Sequence, residues 1–344
     1  MSSIKKIEFY LDFPQVTGVD GFSEFDADDI KNPDITYDGV EYMHQICPIE
    51  ILRSLIKKYP EIEFIPINTR LINKDCCCPA YGIATPVIKN PKTGKFMIIS
   101  YCDRGYYITK GESPWGWDLD NCVDVFQPVG INFDVVHYKP MIPFDCTDEE
   151  GYKKNCLEYV YTPCTMSTYF KSGMIEIEKL YNRVDRKIPE KLFLRGGNAP
   201  FREYLRHFDD RFNIFYPDRL TGDEFMIELS QYSIIMDVNS VVEISGRLID
   251  GMGLGCAVIR PELAIQYHNK LIPNYHYAKV DCDDLSDFPR LANAYIEKFE
   301  ELKNKPKLVE FIGQNGRKWY EENSRLDSYS KLFVDELINL DKLL

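Results

Sequence analysis

The sequence lacks any apolar run approaching the roughly 20 residues that a membrane-spanning helix needs. Its N-terminus, MSSIKKIEFYLDF, leads straight into a strand-like pattern. It lacks the charged start, apolar region and cleavage site, in that order, of a signal peptide. Internal repeats and low-complexity segments are also missing. These absences predict a cytoplasmic protein without a membrane span.

Basic residues are not in excess. There are 41 Lys and Arg against 54 Asp and Glu, which gives a net charge of −13, and both signs are mixed along the chain. Nucleic acid is therefore not expected as a partner, because its phosphates attract proteins that carry a basic block or stripe. Local basic pockets can still hold a smaller phosphate group.

The cysteines do not form the pattern of a disulfide framework or a zinc site. Their number is odd, at eleven, and three of them are adjacent at 76–78, where they cannot easily converge on one tetrahedral ion. Two acidic runs, DADD at 26–29 and DCDD at 281–284, could supply a metal-binding Asp-x-Asp pair. The first lies in a loop-rich stretch and the second precedes LSDF like a helix cap, so we expect no metal and no cofactor.

The apolar pattern predicts two α/β domains. IEFYLDF is typical of a strand, 48–59 of a helix, and EFIPI of a second strand. The pattern restarts near Pro189 with the strand KLFLRGG and the helix PFREYLRHF, followed by four apolar segments, NIFYPD, SIIMDV, CAVIRP and YAKVD. We therefore predict two Rossmann-like domains, 1–188 and 189–344, and leave open whether the last helix crosses back to the first domain.

The stretch SGRLIDGMGLGCAVI contains the strongest functional signal. Arg247 follows Ser245 by two residues, close to the predicted start of a helix, where free N–H groups and the helix dipole favour an anion. The GMGLG run invites comparison with a dinucleotide-binding loop. That loop follows a strand and opens a helix, whereas here the glycines close a helix and precede the strand CAVIRP. We interpret the stretch as a phosphate site.

A second turn of the same half carries similar chemistry. Gly196 and Gly197 follow the strand LFLR and would allow close approach of the backbone to a ligand, while Arg195 and Arg202 bring positive charge. The alternative is an ordinary glycine turn with surface arginines. Together with Arg247, this turn predicts a two-sided diphosphate site.

Four ordered segments resemble glycosyltransferase family 90, the protein O-glucosyltransferases and fungal capsule xylosyltransferases. They are FLRGG with PFREYL, QYSIIMDV with SGRLIDGMGLGCAVI, NKLIPNYHYAKVDCDDLSDF, and NGRKWYEENSR, within about residues 191–325. The matched positions are Arg195 and Gly196 at R-G, Arg202 at the helix arginine, Ser245 and Arg247 at S-x-R, and His276 and Tyr277 at H-Y.

The resemblance implies a GT-B fold, with an acceptor-side domain at 1–188 and a nucleotide-sugar-binding domain at 189–344. It also implies an inverting transfer without metal, from a donor such as UDP-xylose or UDP-glucose to a hydroxyl of a glycan or glycoprotein. Asp12, in LDFPQV at the end of the first strand, takes the place of the family's base, and Asp103 is the alternative. Combining the resemblance with the two turns, we predict donor-binding residues at Arg195, Gly196, Gly197, Arg202, Tyr216, Ser245, Gly246 and Arg247.

Three further interpretations follow from the same residues. Absence of a secretory signal suggests a cytosolic glycosylation system of the kind that a bacterium or a large virus uses. A non-catalytic module that binds nucleotide sugars or glycans would keep the architecture without the base. An epimerase or a phosphorylase-like enzyme of the same two-domain layout is the other alternative.

Overall fold

The structure is a computed structural model. It describes residues 5–11, 13, 15–18, 21–34, 43–68, 85–89, 96–99, 136–139, 142–143, 159–161, 173–182, 185–195, 200–215, 222–238, 246–262, 265–266, 269–325, 328, 331 and 334. The chain forms two compact units: unit 1 holds Met1–Cys164, Ile265–His268 and Leu326–Leu344, and unit 2 holds Thr165–Ala264 and Asn269–Arg325. The boundary near residue 188 and the GT-B assignment stay predictions.

Unit 1 is built around a mixed sheet. Its helices are α1 (Ala27–Lys31) and α2 (Met43–Lys58). Its strands are β1 (Lys5–Leu11), β2 (Gln15–Gly18), β3 (Gly21–Glu24), β4 (Ile62–Asn68), β5 (Thr85–Lys89), β6 (Phe96–Ile99), β7 (Val136–Lys139), β8 (Ile142–Pro143), β9 (Tyr159–Tyr161) and β14 (Ile265–Gln266). Six of them pair in the order β4-β1-β5-β6-β7-β9, while β2 pairs with β3 and β8 with β14.

The predicted strand, helix and strand at the start of the chain are all present. β1 and β4 run parallel, and β1 alternates buried Ile7 and Phe9 with the half-buried Glu8, as expected of a strand with one face in the core. The helix α2 begins five residues before the predicted start at Pro48. Proline thus lies inside the helix, where it removes one backbone hydrogen bond. The apolar period that predicts this helix begins only after Pro48, so it does not reveal the first turn.

Unit 2 contains α3 (Gly173–Tyr181), α4 (Pro200–Phe208), α5 (Gly222–Ser230), α6 (Gly246–Gly253), α7 (Phe288–Lys303) and α8 (Pro306–Asn323). Its strands are β10 (Leu192–Arg195), β11 (Phe212–Phe215), β12 (Ile234–Met236), β13 (Ala257–Pro261) and β15 (Ala278–Val280). A strand lies in the described part of each predicted segment, KLFLRGG, NIFYPD, SIIMDV, CAVIRP and YAKVD, and the helix PFREYLRHF is confirmed.

All pairings between these strands are parallel. β10 pairs with β11, and β12, β13 and β15 form a three-stranded sheet. The two sheets adjoin, because Lys187, ahead of β10, bridges Tyr232, ahead of β12, and β10 lies against β12. Ser233 N donates to Lys187 O across 2.9 Å. The resulting order is β11, β10, β12, β13 and β15.

Helices cover both faces of these strands. Ile234 and Ile259 belong to the core that α4 and α7 complete. The alternate residues Ile235 and Val258 contact α6 at Gly251, on the opposite face. A Cβ at Gly251 would lie 2.3 Å from Ile235 Cδ1, so a larger residue here would displace the side chains that this glycine packs against. No helix among the described residues is both long and apolar enough to cross a membrane.

Candidate functional site

The candidate site lies at the carboxyl ends of β10, β12 and β13 in unit 2. β10 ends at Arg195 and leads into α4, whereas β12 ends at Met236 and leads into α6. These helices cover opposite faces of adjacent parallel strands, an arrangement that forms a crevice in α/β sheets. Parallel α/β sheets bind ligands at such a crevice, outside the carboxyl ends of the strands.

Arg247 is held at the start of α6, as its sequence position predicts. Its Nε donates to Asp237 Oδ1 across 3.3 Å, and its Nη1 donates to the carbonyl oxygen of Arg195 across 3.1 Å. Its third nitrogen, Nη2, is buried and has no hydrogen-bond partner among the described residues. A buried donor without a partner is costly, so this nitrogen suits an acceptor on a ligand.

Asp237 lies at the centre of the cluster and has no solvent exposure. Besides Arg247, its carboxylate binds Arg260, whose Nη1 lies 3.0 Å from Oδ2, and Arg260 is itself fully buried in β13. The hydroxyl of Tyr295 on α7 donates to the backbone oxygen of Asp237 across 2.6 Å. Charges this deeply buried are tolerated only when they are paired and hydrogen-bonded.

Arg202 adds a third guanidinium from the first turn of α4. It is 7 % exposed, and burial together with the neighbouring charge of Arg247 lowers its pKa to about 10. It therefore remains protonated at neutral pH. Arg247 and Arg260 thus bind the carboxylate of Asp237, and Arg202 lies close enough to be influenced by its charge. Together these four described residues carry three positive charges and one negative charge.

The side chain of Arg195 has a different environment. Its Nε and Nη2 donate to the two carboxylate oxygens of Glu228 on α5, across 2.5 and 2.9 Å. This bidentate ion pair fixes the guanidinium of Arg195 against α5. Arg195 contributes its backbone carbonyl to the contact with Arg247, and its predicted role in binding phosphate through the side chain remains a prediction.

A second buried carboxyl, that of Asp250, lies one turn after Arg247 on α6. It is 4 % exposed, and its Oδ1 has no hydrogen-bond partner among the described residues. Burial raises its pKa well above the ordinary value for aspartate, although the charge of Arg247 partly opposes the shift. Burial therefore disfavours the ionised form of this carboxyl.

The glycine-rich run follows the order predicted from the sequence. α6 ends at Gly253, Gly255 adopts a positive φ of 73°, and β13 begins at Ala257. Glycine is the residue that accepts this left-handed conformation without strain. The run closes a helix before a strand, which is the reverse of a dinucleotide-binding loop.

Several predicted site residues lie outside the described residues, namely Asp12, Asp103, Gly196, Gly197, Tyr216 and Ser245. Of the predicted site residues that the structure describes, Gly246 is the first residue of α6. Arg202 and Arg247 lie close enough for the charge of Arg247 to lower the pKa of Arg202. The sequence interpretation missed Asp237, Arg260 and Tyr295. Of these three residues, only Asp237 has a local sequence signal, because it directly follows the strand SIIM.

His276 and Tyr277 are engaged in local structure. Nδ1 of His276 accepts the backbone N–H of Ile272 across 2.9 Å, and burial lowers the pKa of this histidine. Tyr277 is 1 % exposed and directly precedes β15, at the amino end of the strand. Both therefore lie at the edge of the sheet opposite to the arginines.

The acidic runs are used as helix caps or turns where they are described. Asp26 accepts from the backbone N–H groups of Asp28 and Asp29 and caps α1, and Asp284 accepts from Ser286. Within the described residues, no group of three or more His, Cys, Asp and Glu side chains could hold a metal ion.

Comparison with known proteins adds no family assignment. No protein-family model matches the chain, and no curated protein matches it at a significant level.

Proposed function

We propose that unit 2 binds the diphosphate of a nucleotide sugar and that the protein is an inverting glycosyltransferase. In this proposal a sugar such as xylose or glucose passes from a UDP donor to a hydroxyl of a glycan or glycoprotein. The observation that carries the proposal is the pairing of Arg247 and Arg260 with the buried carboxylate of Asp237, within reach of the charge of Arg202, at the carboxyl ends of parallel strands.

Charge supports a diphosphate as the ligand. The described residues Arg202, Arg247, Arg260 and Asp237 carry an excess of two positive charges in a protein whose overall charge is −13, so the cationic character is local. The amino-terminal ends of α4 and α6 add the positive ends of two helix dipoles. A nucleoside diphosphate sugar carries two negative charges on its diphosphate, which matches this balance.

The chemistry of glycosyl transfer would use the same groups. As the bond between the sugar and the diphosphate breaks, negative charge grows on the leaving oxygen, and fixed guanidinium groups stabilise it without a metal ion. A base must also remove the proton of the acceptor hydroxyl. Asp12, which directly follows β1, is our candidate on its place in the sequence, with Asp103 as the alternative.

The proposal is tested by binding and turnover together. Isothermal titration calorimetry with UDP, UDP-glucose and UDP-xylose should give saturable binding, and incubation with each UDP-sugar should release UDP, either to water or to an added glycan. Binding without release would indicate a non-catalytic module. Conversion of the free nucleotide sugar, or release that requires inorganic phosphate, would favour an epimerase or a phosphorylase, and absence of binding would refute the proposal.

A further inference from the structure

The contact between Asp237 and Arg247 joins the end of β12 to the start of α6, the helix that follows it. Asp237 directly follows β12, and Arg247 is the second residue of α6. Asp237 is itself restrained on three sides: its N–H donates to Ile259 O, its backbone oxygen accepts from Tyr295, and its Oδ2 accepts from Arg260. A carboxylate fixed in this way can fix the guanidinium that it binds.

The contacts of Arg247 leave one edge of its guanidinium for a ligand. Nε is occupied by Asp237 and Nη1 by the carbonyl of Arg195, so the plane of the group is set by two contacts. Nη2 keeps both of its N–H donors without a protein acceptor in the described part of the chain. Such a preoriented donor loses little conformational freedom when an oxyanion binds.

The neighbouring carboxyl of Asp250 does not share this geometry. It lies on the same helix three residues after Arg247, and it is almost as deeply buried as Asp237. No hydrogen bond between Asp250 and Arg247 exists in the described structure, whereas Asp237 binds Arg247 directly. Two buried aspartates thus flank one arginine, and only one of them is placed to orient it.

We propose that Asp237 is a positioning residue of the anion site, which holds Arg247 so that Nη2 is presented to a phosphate oxygen. This role rests on the proposed function, because it requires that the arginine cluster binds a diphosphate. Asp237 does not touch the ligand itself. Its carboxylate keeps the guanidinium in place and balances one of the buried positive charges.

The test compares two isosteric variants by calorimetric titration with inorganic pyrophosphate and with UDP. Asp237→Asn should weaken the binding of both probes about tenfold or more, since the charge-assisted contact that orients Arg247 is lost. Asp250→Asn, the matched control, should bind both probes as the wild type does. Addition of Arg247→Ala to Asp237→Asn should cause little further loss, because the two residues act as one unit.

The outcomes separate this inference from the proposed function. If the wild type binds neither probe, the proposed function fails. If the wild type binds and Asp237→Asn binds equally well, the diphosphate site stands and the positioning role is refuted. Equal losses in Asp237→Asn and Asp250→Asn would also refute it, since they would reflect the packing of buried carboxyls in general.

A measurement on the wild type covers the case in which Asp237→Asn does not fold. In protein labelled with ¹⁵N-arginine, the Nε–H proton of Arg247, assigned from its loss in Arg247→Lys, should exchange with solvent more slowly than that of the exposed Arg290. Arg247→Lys should also weaken pyrophosphate binding, because lysine keeps the charge but cannot make both contacts. Exchange as fast as at Arg290, or wild-type affinity in Arg247→Lys, would overturn the proposal.

Discussion

Arg247 donates a hydrogen bond from Nη1 to the backbone carbonyl of Arg195, 3.1 Å away and 52 positions earlier in the chain. The contact joins the end of β10 to the start of α6, and so it ties together the two turns in which the sequence predicts phosphate binding. Adjacent parallel strands make such a contact possible, because their carboxyl ends lie at the same edge of the sheet.

Replacement of Arg247 should weaken donor binding. Arg247→Ala removes a charge-assisted donor worth about 1.5 to 3 kcal/mol, so we expect UDP affinity to fall about 10- to 100-fold by calorimetry. The control is Arg290→Ala, since the side chain of Arg290 is 59 % exposed and its nearest paired oxygen, on Asp283, is 4.0 Å away. Equal affinity in the two variants would argue against a phosphate role for Arg247.

Replacement of Asp12 should separate binding from transfer. Asp12→Asn keeps the shape of the side chain but removes its basicity, so UDP-sugar affinity should persist while glycosyl transfer falls by about 100-fold or more. Transfer is followed as UDP released in the presence of an acceptor glycan. The parallel variant Asp103→Asn tests the alternative base. Full activity of Asp12→Asn would exclude Asp12 from that role.

Protonation of His276 should contribute to a loss of stability of the folded protein as the pH falls below about 6.5. Burial lowers the pKa of this histidine from its ordinary 6.5, so the unfolded chain takes up a proton before the folded chain does. The part of the free energy of unfolding that depends on the neutral imidazole of His276 is therefore present above pH 6.5 and is lost as the pH falls. The measurement is the thermal midpoint between pH 7.5 and 5.5.

The control for this pH effect is His276→Asn, whose side-chain oxygen can still accept the N–H of Ile272. Its thermal midpoint should fall less than that of the wild type over the same range, because asparagine does not titrate. Parallel curves for the two proteins would contradict a contribution from His276.

Gly313 should not tolerate a side chain. A Cβ at this position of α8 would lie 2.3 Å from the backbone oxygen of Gly255, an atom that cannot swing aside. Helix propensity favours alanine by about 1 kcal/mol, but overpacking against backbone costs about 1 to 3 kcal/mol or more, so Gly313→Ala should lower the free energy of unfolding. Urea denaturation measures this change.

The matched variant for Gly313→Ala is Lys318→Ala on the same helix. The side chain of Lys318 is 71 % exposed and its ion pair with Glu322 spans 3.9 Å, so its removal should change the free energy of unfolding by at most about 0.5 kcal/mol. A stable Gly313→Ala protein would mean that α8 can shift away from the turn at Gly255.

Local pattern was enough to predict most elements of unit 2. Short apolar runs between turns mark β10, β11, β12, β13 and β15, and the runs in β10, β12 and β13 are apolar because these strands are buried on both faces. The start of α6 was also predictable, since a serine and a glycine precede its apolar face. The helix α2 was harder, because it begins at Met43 whereas its apolar period begins only after Pro48.

By itself, the sequence determined which residues carry charge and on which elements they lie, and it placed Arg202 and Arg247 in the first turns of two helices. Only the tertiary structure decided which charges meet. Asp237 is one aspartate after a strand, and Arg260 is one arginine within another, yet both are fully buried and paired across 3.0 Å. Their pairing depends on which strands become neighbours, and strand order is set by packing of the whole core rather than by any local pattern.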